Sequence, residues 1–283
     1  MGETKKTGTL YLVSTPIGNL KDITYRAVET LSKVSLIAAE DTRHTRKLLH
    51  HYTITTNTVS YHDHNKVRGS KSILKVLMGG GDVALVSDAG TPGISDPGYY
   101  LVNRALESGL RVTACPGPCA AVMALSISGL PTDSFSFYGF VPTKTIKRKN
   151  FLKTLANENK SMVFYESSGR IKSMLQDVYE VLGNRRVVVS RELTKMFEET
   201  IRGSLDELLK DDLLTELKGE LVVIVSKRDK QDKASIDELS DEILRLLGVG
   251  ATVKDVSSTI SEKYAISKKE VYDYCIKVLA HGT

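Results

Sequence analysis

The sequence predicts an α/β protein with two sheets, the first parallel and the second mixed, followed by a small helical module. Three observations carry this expectation. Short apolar runs alternate with stretches of helical spacing over roughly the first half of the chain. Those runs are apolar at successive positions, the pattern of parallel strands covered on both faces. After "LPTDS" at 130–134 the strands lie closer together, with fewer helices between them.

Taken in order, "GTLYLVS" (8–14) reads as a buried strand that ends in the turn "TPIGN" (15–19). A helix fits 23–33, and "SLIAAE" (35–40) is a second buried strand leading into "EDTRHTR". Helical spacing resumes from Thr42 to about His51, and "TNTVSYHDHN" (56–65) offers a short strand and a polar tip. A helix over 67–78 stops at three glycines, 79–81. The strand "DVALVSD" (82–88), a helix near 97–108, the strand "RVTACP" (111–116) and a helix near 118–128 follow. In the second half, strands are expected at 136–141, 161–166, 185–192, 197–203 and 219–226, with helices near 145–156, 168–182 and 204–210. "SLDE" (204–207) has the spacing of a capping box. "KRDKQDKAS" (227–235) is a charged linker. Beyond it, "SIDE" (235–238), "TVKD" (252–255) and "SKKE" (267–270) each open an apolar period of three or four residues, as in a helix-turn-helix module or a helical cap packed on the main body. The expected domains are 8–130, 131–228 and 235–283.

Bulk properties narrow the function. The chain has 283 residues, 41% of them apolar, and a net charge of +5, which permits a polyanionic partner without demanding one. No apolar run approaches the roughly 18 residues of a membrane span, and "MGETKKTGTLYLV" lacks the apolar core of a secretion signal, so a cytoplasmic protein is expected. Cys115, Cys119 and Cys275 are too few and scattered for a disulfide framework. The histidines of "YHDHN" (61–65) read as an exposed polar loop, and no metal is expected.

The chemistry concentrates at strand ends. "SDAGTPG" (87–93) closes an apolar strand with more special backbone than a turn requires. In open α/β sheets ligands sit beyond the carboxyl ends of strands, so Ser87, Asp88, Ala89, Gly90, Thr91 and Pro92 are candidate ligand contacts. "CPGPCAA" (115–121), with Pro116, Gly117, Cys119 and Ala120, ends the next strand at a helix N-terminus. Pro16 lies in the turn after the first strand. The absence of G-x-G-x-x-G after strand one and of any G-x-x-x-x-G-K-[ST] argues against a nicotinamide enzyme and a phosphate-loop NTPase. "AAEDTRHTR" delivers Glu40 and Asp41 to a strand end, with Arg43 and Arg46 sharing the next helical face; the arginines suit either phosphate or the neighbouring carboxylates. "FYESSGR" (164–170) and "SRELTK" (190–195) add Tyr165, Glu166 and Glu192. "PTKTIKRK" (142–149) groups Lys144, Lys147, Arg148 and Lys149, as either a phosphate-contacting rim or a solvated charge run.

"LYLVSTPIGNL", "AAEDTR", "LVSDAGTPGISDPG", "PGP" and "FYGFVP", in this order, resemble the ribosomal RNA small subunit methyltransferase I family. That family belongs to the tetrapyrrole-methylase-like class of S-adenosylmethionine-dependent methyltransferases. The resemblance spans nearly the whole chain. It implies a two-domain tetrapyrrole-methylase-like fold with the cofactor in the cleft, no metal, a homodimer, and 2'-O-methylation of a decoding-region cytidine of 16S rRNA (nucleotide 1402), within the 30S subunit. Carried over by position, Pro16, the 88–92 loop, Cys119, Ala120 and Tyr165 would line the cofactor pocket. Ribose methylation needs a hydroxyl activated by an acceptor, for which Glu40, Asp41, Glu166 and Glu192 are candidates; Arg43 would position flanking phosphates. Two other readings remain open: a tetrapyrrole methylase of the same fold, and a non-enzymatic RNA-binding protein using its tail.

Overall fold

The computed structural model describes residues 6–210, 214, 217–227, 236, 239–264 and 266–281. The strands β1 (Thr9–Val13), β2 (Leu36–Ala39), β3 (Thr58–Ser60), β4 (Val83–Val86) and β5 (Arg111–Cys115) form one sheet in the order β3-β2-β4-β1-β5, every pair parallel. The helices α1 (Tyr25–Lys33), α2 (Thr42–His51), α3 (Lys66–Met78) and α4 (Gly98–Glu107) alternate with these strands.

The continuous apolar runs are explained by two cores, one on each face. Successive side chains of a strand point to opposite sides. Leu10, Ala38, Val83 and Leu85 join Ile73, Leu77 and Leu101 in one core. Their neighbours Val13, Ile37, Ala39, Ala84 and Val86 join Ala27, Leu31 and Leu49 in the other.

The helix α5 (Ala120–Ser126) follows β5 but packs elsewhere. Its Ala121, Ala124 and Leu125 lie against Val163, Val188, Val222 and Ile224 of a second sheet. That sheet comprises β6 (Phe135–Phe140), β7 (Ser161–Ser167), β8 (Arg186–Arg191), β9 (Glu199–Ser204) and β10 (Glu220–Val225), ordered β6-β7-β10-β8-β9. Only β6 and β7 pair in parallel; the other pairs are antiparallel. Its other face, with Met162, Phe164, Val187, Val189 and Val223, packs on α6 (Thr145–Thr154), α7 (Ile171–Leu182) and α8 (Leu205–Lys210). At the start of α8 the Glu207 carboxylate accepts the Ser204 N–H at 2.8 Å, the reach-back bond of a capping box. Both sheets belong to one compact unit ending at Ser226.

A second unit begins at Lys227. Its helices α9 (Ser240–Gly248), α10 (Val253–Tyr264) and α11 (Lys268–His281) enclose Ile243, Val256, Ile260, Ile266, Val271 and Cys275. Thr252 caps α10, accepting the Asp255 N–H at 3.2 Å. Residues 228–235 of the charged linker, and Ser235, Asp237 and Glu238 of the cap signal "SIDE", lie outside the described residues. Among the described residues, no helix is long and apolar enough to cross a membrane.

Candidate active site

Parallel pairing brings the carboxyl ends of β1, β4 and β5 to one edge, where the three loops are laced together. Thr15 and Gly90 exchange both backbone hydrogen bonds, at 2.9 and 3.0 Å. The Thr91 hydroxyl donates to the Pro118 carbonyl at 3.1 Å and lies 3.0 Å from the Ser14 hydroxyl. Gly90 has φ +79°, and a Cβ there would meet Ile17 and the Pro118 carbonyl. Glycine is therefore required by the backbone of this loop. Gly117 answers a different constraint: a Cβ would lie 2.7 Å from that of Ser14.

A cavity of about 450 Å³ opens between this edge and the second sheet, a volume suited to a small-molecule ligand. From the first sheet, Glu40, Ser87, Asp88, Ala89, Gly90 and Thr91 line it, joined by Cys119 and Ala120 at the start of α5. From the second come Tyr165, Glu166 and Glu192. Pro16, Asp41, Arg43, Pro92, Pro116 and Gly117 do not line it. Ser95, Asp96, Phe140, Lys195 and Gly219 do, and were not singled out from the sequence. The signal for Ser95 and Asp96 was present, because "SDAGTPGISDPG" runs on through both. Asp96 accepts the N–H groups of Gly93 and Gly98, each at 2.8 Å, and so closes that loop.

The cavity is acidic. The Asp88 N–H donates to the Glu40 carboxylate at 3.3 Å, and the Asp88 carboxylate accepts the Asp41 N–H at 3.0 Å. Burial pushes the Glu40 carboxyl up, and the nearby charges of Asp88, Asp96 and Asp63 act the same way. Glu166 is 1% exposed; its Oε1 accepts from the Ser167 N–H and the Arg170 Nε, both at 2.7 Å, while its buried Oε2 has no partner among the described residues. An unmatched buried carboxylate oxygen is costly and suits a donor on a ligand. Burial, with the Cys119 thiol beside it, holds the Tyr165 phenol up to about 12. Phe137 and Phe140 pack around its ring, with centroids 5.0 and 5.7 Å away.

The basic residues expected on an RNA rim divide by burial. Arg46, Lys144 and Lys147 are exposed. Arg148 corrects the expectation: it is 3% exposed, its Nε donates to Asp177 at 2.6 Å, and it cannot reach a phosphate. It shares a helical face with buried Leu152, four residues on, which turns it inward. Lys149 is half-buried and pairs with Glu180 at 2.5 Å. Of the two partners open to Arg43, carboxylate or phosphate, the structure pairs it with Asp41, its Nη2 2.7 Å from Oδ2. That contact holds the Asp41 carboxyl well below the usual range.

Residues 9–209 match the family model described as Tetrapyrrole (Corrin/Porphyrin) Methylases. The chain is 44% identical over 278 residues to a protein of Haemophilus influenzae named ribosomal RNA small subunit methyltransferase I, covering 96% of this chain and 97% of that one. A protein of the same name from Vibrio cholerae is 46% identical over 280 residues, covering 95% of each. The chain belongs to the tetrapyrrole methylase family, on its ribosomal RNA small subunit methyltransferase I branch.

The solved structures of tetrapyrrole methylases share the fold. Uroporphyrin-III C-methyltransferase of Thermus thermophilus superposes with a TM-score of 0.51 at 18% identity, covering 78% of this chain and 92% of that one. The methyltransferase CobJ does so with a TM-score of 0.59 at 17% identity, covering 78% and 95%. Both matches leave roughly a fifth of this chain uncovered.

Proposed function

We propose that this methyltransferase uses S-adenosylmethionine to methylate the ribose 2'-oxygen of a cytidine in the decoding region of 16S rRNA. The observation that carries the reading is the acidic cavity at the laced strand ends, in a chain that resembles rRNA methyltransferases over nearly its full length. The donor supplies a methyl group on a positively charged sulfur, and it also carries an ammonium. Both positive charges favour a cavity walled by Glu40, Asp88, Asp96 and Glu166. Asp88 and the 89–91 loop, Cys119, Ala120 and Tyr165, which line the cavity, would hold it.

The chain's own task is then positioning and proton acceptance. A ribose hydroxyl is a weak nucleophile and must be held about 3 Å from the methyl carbon, in line with the leaving sulfur. A carboxylate within hydrogen-bond reach accepts its proton. Glu40, Glu166 and Glu192 line the cavity, whereas Asp41 is committed to Arg43 and to the start of α2. The exposed Arg46, Lys144 and Lys147 would meet backbone phosphates of the RNA. The assembled small subunit as substrate, a cytoplasmic site of action and a homodimer complete the proposal. Small subunits lacking the modification, incubated with methyl-labelled S-adenosylmethionine, should take up label. The labelled linkage should resist alkali, because a 2'-O-methyl group blocks attack on the neighbouring phosphodiester. Alkali-labile label would move the acceptor to a base.

A further inference from the structure

Among the described residues that line the cavity, Lys195 is the one cation, against six carboxylates: Glu40, Asp88, Asp96, Glu166, Glu192 and Glu220. Its ammonium lies 2.9 Å from Glu192, and its side chain is 32% exposed, within reach of a ligand. The pair is set in a prepared niche. A Cβ on Gly18 would lie 2.4 Å from Lys195 Cγ, and a Cβ on Gly219 would lie 2.1 Å from Glu192 Oε1. Two distant glycines thus clear the space that this ion pair fills. Glu192 and Thr194 hold left-handed backbones, at φ 49° and 67°. An ordinary surface ion pair contributes little, too little to account for two strained non-glycine residues, and such strain gathers at functional positions.

The proposed acceptor sets a demand of its own. A ribose 2'-oxygen inside an RNA chain lies next to its 3'-phosphodiester, so a negative charge must enter with it. Without a cation, the carboxylates would repel that phosphate. We propose that Lys195 leaves Glu192 to bind the phosphodiester beside the target ribose, and so positions the acceptor. This rests on the reading of the protein as an RNA 2'-O-methyltransferase. Met196 and Phe197, next in the chain, are 91% and 69% exposed, apolar surface of the kind unstacked bases cover.

The test compares Lys195→Met, which keeps the stem over Gly18, with Lys195→Arg, using unmethylated small subunits and S-adenosylmethionine. The methionine variant should bind S-adenosylmethionine within about twofold of the parent and lose about tenfold to hundredfold in kcat/KM for the subunit. Its salt slope of RNA binding should fall by about one, and the arginine variant should recover most of the loss. If Lys195→Met melts early, Lys195→Gln replaces it in the same comparison. Unchanged subunit kinetics and salt slope would overturn the proposal. So would a matching loss of S-adenosylmethionine affinity with an unaltered salt slope, which would assign the lysine to the donor's carboxylate. An unsubstituted protein that binds S-adenosylmethionine but leaves rRNA unmethylated would overturn the functional reading itself, and this inference with it.

Discussion

The backbone N–H of Asp88 donates to the Glu40 carboxylate at 3.3 Å, tying the end of β4 to the end of β2. The tie has an electrostatic cost, because burial and three nearby aspartates raise the Glu40 carboxyl. An acid whose folded pKa is raised binds more protons folded than unfolded between its two pKa values. Stability therefore falls as pH rises from the unfolded value, near 4.5, through the raised folded one. Glu40→Gln keeps an oxygen acceptor for Asp88 and removes the charge. Thermal melts from pH 4 to pH 8 should show the variant gaining on the parent as pH rises, with the two converging at the acid end.

The buried pair of Arg148 with Asp177 leads to the opposite kind of variant. Arg148→Met leaves Asp177, among the described residues, with only Lys149, 3.4 Å away. It should lose about 3 kcal/mol in denaturant unfolding. Lys147→Ala, one residue earlier and exposed, should stay within about 0.5 kcal/mol and instead weaken RNA binding across sequences. Equal effects of the two would refute the division between structural and RNA-facing residues.

Gly90→Val must force a branched side chain into φ +79°, facing Ile17 and Pro118. The left-handed backbone alone costs about 1–2 kcal/mol. Because this loop forms the cavity wall and is held to Thr15, S-adenosylmethionine affinity should fall at least tenfold in a protein that still folds. Calorimetric titration beside denaturant unfolding measures both.

The first sheet was legible because burial on both faces leaves a continuous apolar run, and because glycine and proline mark the strand ends. "SDAGTPG" announces the ligand edge, and five of its residues, Ser87 to Thr91, do line the cavity. The other wall was harder to read. Lys195, Glu192, Gly18 and Gly219 meet only once the second sheet folds over the first, and no local pattern records a glycine kept small for a side chain far away in sequence. Arg148 departs from the expectation for a related reason. A basic run looks uniform until one asks which of its residues shares a helical face with Leu152.

The helical unit after Lys227 has its own core. Removing it should leave S-adenosylmethionine binding intact, weaken binding to the small subunit and flatten its salt dependence. Methylation at full efficiency by the truncated protein would reduce the unit to a structural appendage.

Transfer to a ribose oxygen at the acidic cavity is the step on which every other assignment depends. It is tested most directly with reconstituted small subunits whose target cytidine is either ribo or 2'-deoxy, incubated with methyl-labelled S-adenosylmethionine. Label should enter the ribo particle, the deoxy particle should bind without taking up label, and the ribo particle should lose its label when Gly90→Val replaces the parent enzyme. Label in the deoxy particle would contradict transfer to the ribose oxygen.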